Sequence, residues 1–166
     1  LISGLTYYWK LDTNSNDSIN SNNGVDNGIA YVSGKINGAA NFTGGTSKIT
    51  ITPFTIDNTV TKTLSCWFKL NKFPVVLFTD TVVANNGYIA AITSNYHYFG
   101  DYVVGGTFDH NFEIGVWYNL VQTFNSGVVR SYVNGVESIS GPKSLGVGGH
   151  IYVNYFGGYD PSVFDL

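Results

Sequence analysis

The chain has 166 residues, enough for one domain to bury a core of its own without disulfide staples. Only 11% of the residues are charged, and a net charge of −3 with a single arginine, Arg130, leaves no basic patch to neutralise phosphates, which excludes nucleic acid as a partner. No apolar run reaches the length of a membrane span, no signal peptide heads the chain, and the absence of any methionine marks a processed product or a fragment of something longer.

The opening stretch Leu5 to Leu11 alternates apolar Leu5, Tyr7, Trp9 and Leu11 with Thr6, Tyr8 and Lys10, which predicts a strand. Asp12 to Gly28 is a long polar loop with only Ile19 and Val25 as core-type residues, and a loop of that length in a compact domain is expected to be functional or held by something. Ile29 to Val32, Ala39 to Phe42 and Lys48 to Ile51 read as short strands between glycine-containing turns. Thr63 to Leu70 is a longer strand that carries the only cysteine, Cys66, on one face with Leu64, Phe68 and Leu70; it reads as a small buried hydrophobe, and no intrachain disulfide is possible. Val75 to Val83 and Tyr88 to Thr93 are further strands around an Asn85-Asn86-Gly87 turn. Asn95 to Val104 is the most aromatic segment, and Phe108 to Gly115 reads as a connecting loop.

Trp117 to Glu137 carries the strongest pattern. Trp117 to Phe124 is a nearly unbroken apolar run, read as a strand buried on both faces; Asn125-Ser126-Gly127 is turn chemistry; Val128 to Val133 runs back; Asn134-Gly135 is a hairpin turn that needs positive φ; and Val136 to Ser140 starts a third strand. Gly141-Pro142 turns the chain, Gly146 to Gly149 is a flexible loop, and His150 to Phe156 is a last alternating strand. No window has the apolar period of a helix, so these elements predict an all-β domain spanning residues 1–166, an antiparallel two-sheet sandwich.

The string WYNLVQTFNSGVVRSYVNGVE resembles the central signature of laminin G-like domains in the concanavalin A-like lectin/glucanase superfamily. Three more stretches match in the family's order: Leu5 to Asp12, Gly34 to Phe42, and Thr63 to Leu70. The resemblance implies a concanavalin A-like jelly roll, and it assigns Trp9, Trp67 and Trp117 to packing positions. It also implies a last strand of which this chain shows at most the beginning, Val163 to Leu166, so that the domain would be a fragment completed by a neighbouring segment. Function is less constrained, because the fold hosts lectins, adhesion modules, sensors and hydrolases.

Retaining glycoside hydrolysis needs two carboxyls about 5–5.5 Å apart. The only glutamates, Glu113 and Glu137, lie in a loop and after a hairpin turn, and His97, His110 and His150 have no nucleophile-elbow serine. No enzyme is expected, and no zinc site, since the histidines are far apart in sequence. Calcium is the metal candidate: Asp12, Asn14 and Asp17 place oxygen donors along the first loop, and Asp160 and Asp165 could join them from the C-terminal end as the resemblance suggests. The alternative for that loop is a set of Asx turns bonded to its own backbone. For a glycan, aromatic faces beside amides and carboxylates are wanted, and Tyr96, His97, Tyr98, Asp101, Tyr102, Tyr155 and Tyr159 are the candidates. Aromatics are 16% of the chain and its polar positions are filled by amides and hydroxyls, which suits a neutral polar partner such as a glycan or equally reflects an AT-rich genome. The expected function is a non-catalytic recognition or adhesion module on a cell surface, outside the cell or on a virion or phage fibre, binding a glycan or glycoprotein. The alternative is a structural or decorating sandwich that contacts only a neighbouring domain or subunit.

Overall fold

The computed structural model describes residues 4–43, 46–57, 61–79, 88–100, 105–144 and 150–157. Fifteen strands and no helix occur among them. They are β1 (Val25–Asn27), β2 (Ile29–Ser33), β3 (Gly38–Phe42), β4 (Lys48–Asp57), β5 (Thr61–Lys69), β6 (Val75–Val76), β7 (Phe78–Thr79), β8 (Tyr88–Ile92), β9 (Tyr96–Gly100), β10 (Gly105–Asp109), β11 (Trp117–Asn125), β12 (Val128–Val133), β13 (Val136–Glu137), β14 (Lys143–Ser144) and β15 (His150–Gly157).

The larger sheet has the order β1-β4-β15-β7-β8-β9-β10, with β6 also paired to β8; the smaller has the order β13-β12-β11-β5, with β14 paired to β12; β2 and β3 form a separate hairpin. All the pairings are antiparallel, and together they make the expected sandwich.

The meander forms where its turn residues put it. Ser126 and Gly127 have φ of 49° and 80°, and Asn134 and Gly135 have 52° and 80°. Two consecutive positive values are what a two-residue turn needs to match the twist of its flanking strands. The burial differs from expectation. β11 alternates strictly, with Tyr118, Leu120, Gln122 and Phe124 buried and the residues between them partly exposed. It is therefore buried on one face only: the apolar Trp117 and Val121 lie on the solvent side.

The opening stretch also departs from expectation. Leu5 to Leu11 forms no ladder and makes one isolated bridge, Trp9 to Asp17. What holds it is aromatic packing. The Tyr7 and Trp9 rings stack at 5.3 Å, Trp9 meets Phe156 edge-on at 4.9 Å, and the Trp9 indole N–H donates to the Asn22 carbonyl at 2.8 Å. Asn22 in turn pairs with β4 through its side chain, donating to the Thr52 carbonyl and accepting from the Thr52 N–H. The side-chain amide thus supplies both halves of a ladder rung next to Pro53, which has no N–H to give.

Three smaller differences follow. β4 runs on to Asp57, because Phe54 and Ile56 pack on the core and pair with Val153 and Ile151 of β15. Phe108, expected in a loop, lies in β10 and is fully buried. The Val75 stretch is broken at Leu77 into β6 and β7.

Candidate functional site

Because β11 and β5 pair residue for residue, their outward side chains share one flat surface. Trp117 lies opposite Lys69, Asn119 opposite Trp67, Val121 opposite Ser65 and Thr123 opposite Thr63. Trp67 is therefore not a core residue. It is 43% exposed, while its neighbours Cys66 and Phe68 turn inward to the core. Trp117 occupies the same outer face, half-buried, so the expected packing role holds among these three tryptophans only for Trp9. Trp67 and Trp117 hold diagonal positions across this antiparallel pair, where residue positions lie about 7–8 Å apart.

Each ring has a cation over it. The Lys35 ammonium, from the turn between β2 and β3, lies 5.5 Å from the Trp67 ring centre, and the Lys69 ammonium lies 5.2 Å from that of Trp117. Neither lysine has a carboxylate partner among the described residues, where the one ion pair is Arg130 to Glu137 at 2.6 Å. Asn119 is fixed between the rings: its N–H donates to the Asn134 side chain at 2.9 Å, and its own amide donates to the Cys66 carbonyl at 3.2 Å. The turn that carries Lys35 is held by the contact of Gly38 with the first loop. A Cβ on Gly38 would come within 2.1 Å of the Asp12 carbonyl oxygen, so only glycine fits there.

The expected glycan residues are dispersed. Tyr96 is 38% exposed on β9 and Tyr98 is half-buried two residues on, so these two share the outer face of the larger sheet. Tyr155 is separated from them by β7 and β8, roughly 14 Å away at the usual strand spacing. Its half-buried ring is covered by the Lys48 ammonium at 4.2 Å. Asp101, Tyr102 and Tyr159 lie outside the described residues.

His97 leaves that set. Its side chain is 0% exposed because the alternation of β9 turns it into the space between the sheets. There its Nε2 lies 2.6 Å from the Ser131 hydroxyl of β12 on the opposite sheet, and its ring stacks on Phe108 at 5.3 Å. Burial, with the nearby His110 as a smaller cause, lowers its pKa to about 4, so it is neutral at ordinary pH. Gln122 lies opposite Ser131 in the ladder and is also buried; neither its amide nitrogen nor its oxygen has a protein partner, and nor does His97 Nδ1. This polar layer is structural. Cys66 is partly buried against the core, and the burial of its thiol pushes the pKa up to about 12, which leaves it neutral.

The first-loop acids serve the backbone. Asp12 Oδ1 accepts from the Gly38 N–H at 3.1 Å, and Asn14 Oδ1 closes an Asx turn on the Asn16 N–H at 2.9 Å. Asp17 is buried, and its Oδ1 accepts from the Tyr8 and Ile19 N–H groups at 2.9 and 3.0 Å. Burial alone would raise its pKa, but the N–H groups of Tyr8, Ile19, Asn20 and Asn22 hold it below the usual value. Its Oδ2 is buried and makes no hydrogen bond with the described residues. Asp12, Asn14 and Asp17 thus each have an oxygen engaged by backbone N–H groups, and no group of three or more His, Cys, Asp or Glu that could hold a metal occurs among the described residues. Asp160 and Asp165 lie outside them.

For acid/base work the two glutamates are poorly placed. Glu137 on β13 is taken up by Arg130, and Glu113 lies in the loop after β10, where its N–H donates to the Tyr118 hydroxyl at 2.9 Å.

The laminin G-like family model, described as the concanavalin A-like lectin/glucanases superfamily, matches residues 43–160, well over half of the chain. No curated protein matches the sequence. Among solved structures, the chain is similar to domain 4 of AbnA, a GH43 extracellular arabinanase from Geobacillus stearothermophilus, solved in complex with arabinotriose. The TM-score is 0.70 at 19% identity, over 96% of this chain and 86% of that one, a likeness of fold.

Proposed function

The chain belongs to the concanavalin A-like lectin/glucanase superfamily, and from that membership we propose that it is a non-catalytic glycan-recognition module displayed outside the cell or on a virion surface. The observation that carries this reading is Trp67, a large aromatic side chain left 43% exposed on a sheet face among hydroxyls and amides. Burying such a ring stabilises a fold by several kcal/mol, so a solvent-facing position suits a residue reserved for contact. An indole face packs against the C–H face of a sugar ring, while Ser65, Thr63 and Asn119 beside it present donors and acceptors to hydroxyls. The solved neighbour binds an arabinose oligosaccharide on the same fold, which is consistent with this use. Tyr96 and Tyr98, on the opposite outer face, form a smaller second surface.

A glycan array probed with the parent and with Trp67→Ala tests the reading. Retention of at least one glycan by the parent, and its loss in the variant, is expected. Retention that Trp67→Ala leaves untouched would move the site to the tyrosines of β9, and failure of the parent to retain any glycan would remove the function. The hydrolytic alternative is tested by incubating the protein with the glycan it retains. Release of reducing ends would overturn the non-catalytic assignment.

A further inference from the structure

We infer that the ligand of this face is an acidic glycan, one whose sugar rings carry carboxylates, bound across Trp67 and Trp117 with Lys35 and Lys69 as its anion partners. The inference rests on the glycan reading above and adds the charge of the ligand to it. Four observations carry it. The two tryptophans hold diagonal positions across β5 and β11, where residue positions lie about 7–8 Å apart, so they can meet different units of one chain. Each ring has an ammonium group 5.2 to 5.5 Å from its centre. Neither ammonium has a carboxylate partner among the described residues, although the whole chain carries a net charge of −3. Two cations with no ion-pair partner among the described residues, on the tryptophan face of an acidic protein, are a local reversal of charge.

A neutral glycan would leave both ammonium groups without a counter-charge and would have to share the ring faces with them. A carboxylate on the sugar removes that conflict, because the lysines swing to the anion and the rings are left to stack on the sugar's C–H face. The lysine stems are long enough for this, and a cation–π contact at an exposed site is weaker than a charge-assisted hydrogen bond. Asn119 lies between the rings and is fixed from both ends, so it is positioned rather than adaptable.

Affinity electrophoresis of the whole chain in gels containing polygalacturonate, fully methyl-esterified polygalacturonate or arabinan tests the inference, with a single-stranded oligonucleotide as a polyanion lacking sugar carboxylates. Polygalacturonate is expected to retard the parent about tenfold more strongly than its methyl ester. That preference is expected to vanish in Lys35→Gln/Lys69→Gln, which keeps both rings, and to weaken from about 0.05 M to about 0.5 M salt as the charges are screened. Trp67→Ala is expected to lose binding to both polymers. Equal retardation by the acid and its ester, abolished by Trp67→Ala, would overturn the acidic ligand and leave the glycan reading standing. Retardation by the oligonucleotide as strong as by polygalacturonate would overturn it as general polyanion binding. If no glycan retards the parent, both readings fall.

Discussion

Lowering the pH reads out the polar layer between the sheets. His97 is neutral when folded, with a pKa near 4, and its ordinary value is 6.5. The sign follows from which state takes the proton first. Below pH 6.5 the unfolded chain binds a proton at His97 while the folded chain does not, so the stability present above that pH is lost as the pH falls toward 4. A difference of roughly two and a half pKa units at about 1.36 kcal/mol each gives about 3 kcal/mol, most of it lost by about pH 4.5. The cause is physical: the ring is 0% exposed against Phe108 and Ser131, where a charge has no water and a second proton on Nδ1 has no acceptor. His110 is lowered by burial as well and adds in the same direction, whereas Asp17 loses its contribution only below the ordinary carboxylate value. Urea denaturation followed by tryptophan fluorescence at about pH 7 and about pH 4.5, on the parent and on His97→Gln, isolates the residue. The parent is expected to lose about 2–3 kcal/mol more than the variant over that interval, a midpoint difference of about 1–2 M urea. Equal losses in the two proteins would refute the assignment of the pH response to His97.

Trp67→Ala is expected to cost less than about 1.5 kcal/mol and Phe68→Ala about 3–5 kcal/mol, since adjacent residues of one strand face solvent and core respectively; equal losses by chemical denaturation would place both in the core. Gly135→Ala, at φ of 80°, is expected to destabilise by about 1–2 kcal/mol through backbone strain alone, because the space for its methyl group is open; an unchanged denaturation midpoint would show that the turn relaxes freely. Gln122→Leu, which removes two unpaired buried atoms, is expected to raise stability by about 1 kcal/mol or more; a loss would show that internal water serves the amide. The melting temperature is expected to be the same in calcium and in chelator, whereas Asp17→Ala lowers it by stripping backbone N–H groups of their acceptor; a rise of several degrees with calcium would restore the ion to the first loop.

The meander was legible because turn chemistry and alternation agree there: Asn134-Gly135 and Ser126-Gly127 fix the hairpins, and Val128 to Val133 has the bounds that its apolar pattern suggests. The opening strand was not legible, since Leu5 to Leu11 alternates correctly but makes only one isolated bridge and packs through Tyr7 and Trp9 instead. Trp67 shows a different failure. Placing Leu64, Cys66, Phe68 and Leu70 on one face already sends Trp67 to the other, but family analogy and the general burial of indole put it in the core. Periodicity was the better guide. His97 fails for the same reason in reverse, because Tyr96 and Tyr98 facing outward require the histidine between them to face inward. The pairing of Lys35 with Trp67 had no signal in the sequence: it depends on a hairpin turn reaching a strand some thirty positions further on.

The far rim of the larger sheet has a consequence of its own. Strand β10 ends the sheet, yet three of its outward backbone groups are occupied by small hydroxyls: the Asp109 N–H donates to Ser140 Oγ at 3.2 Å, Ser138 Oγ donates to the Asp109 carbonyl at 3.2 Å, and Ser140 Oγ to the Thr107 carbonyl at 3.4 Å. Two serines thus do the work of a neighbouring strand without offering a new ladder of their own. A second copy brought up to this rim at high concentration finds those three groups already taken.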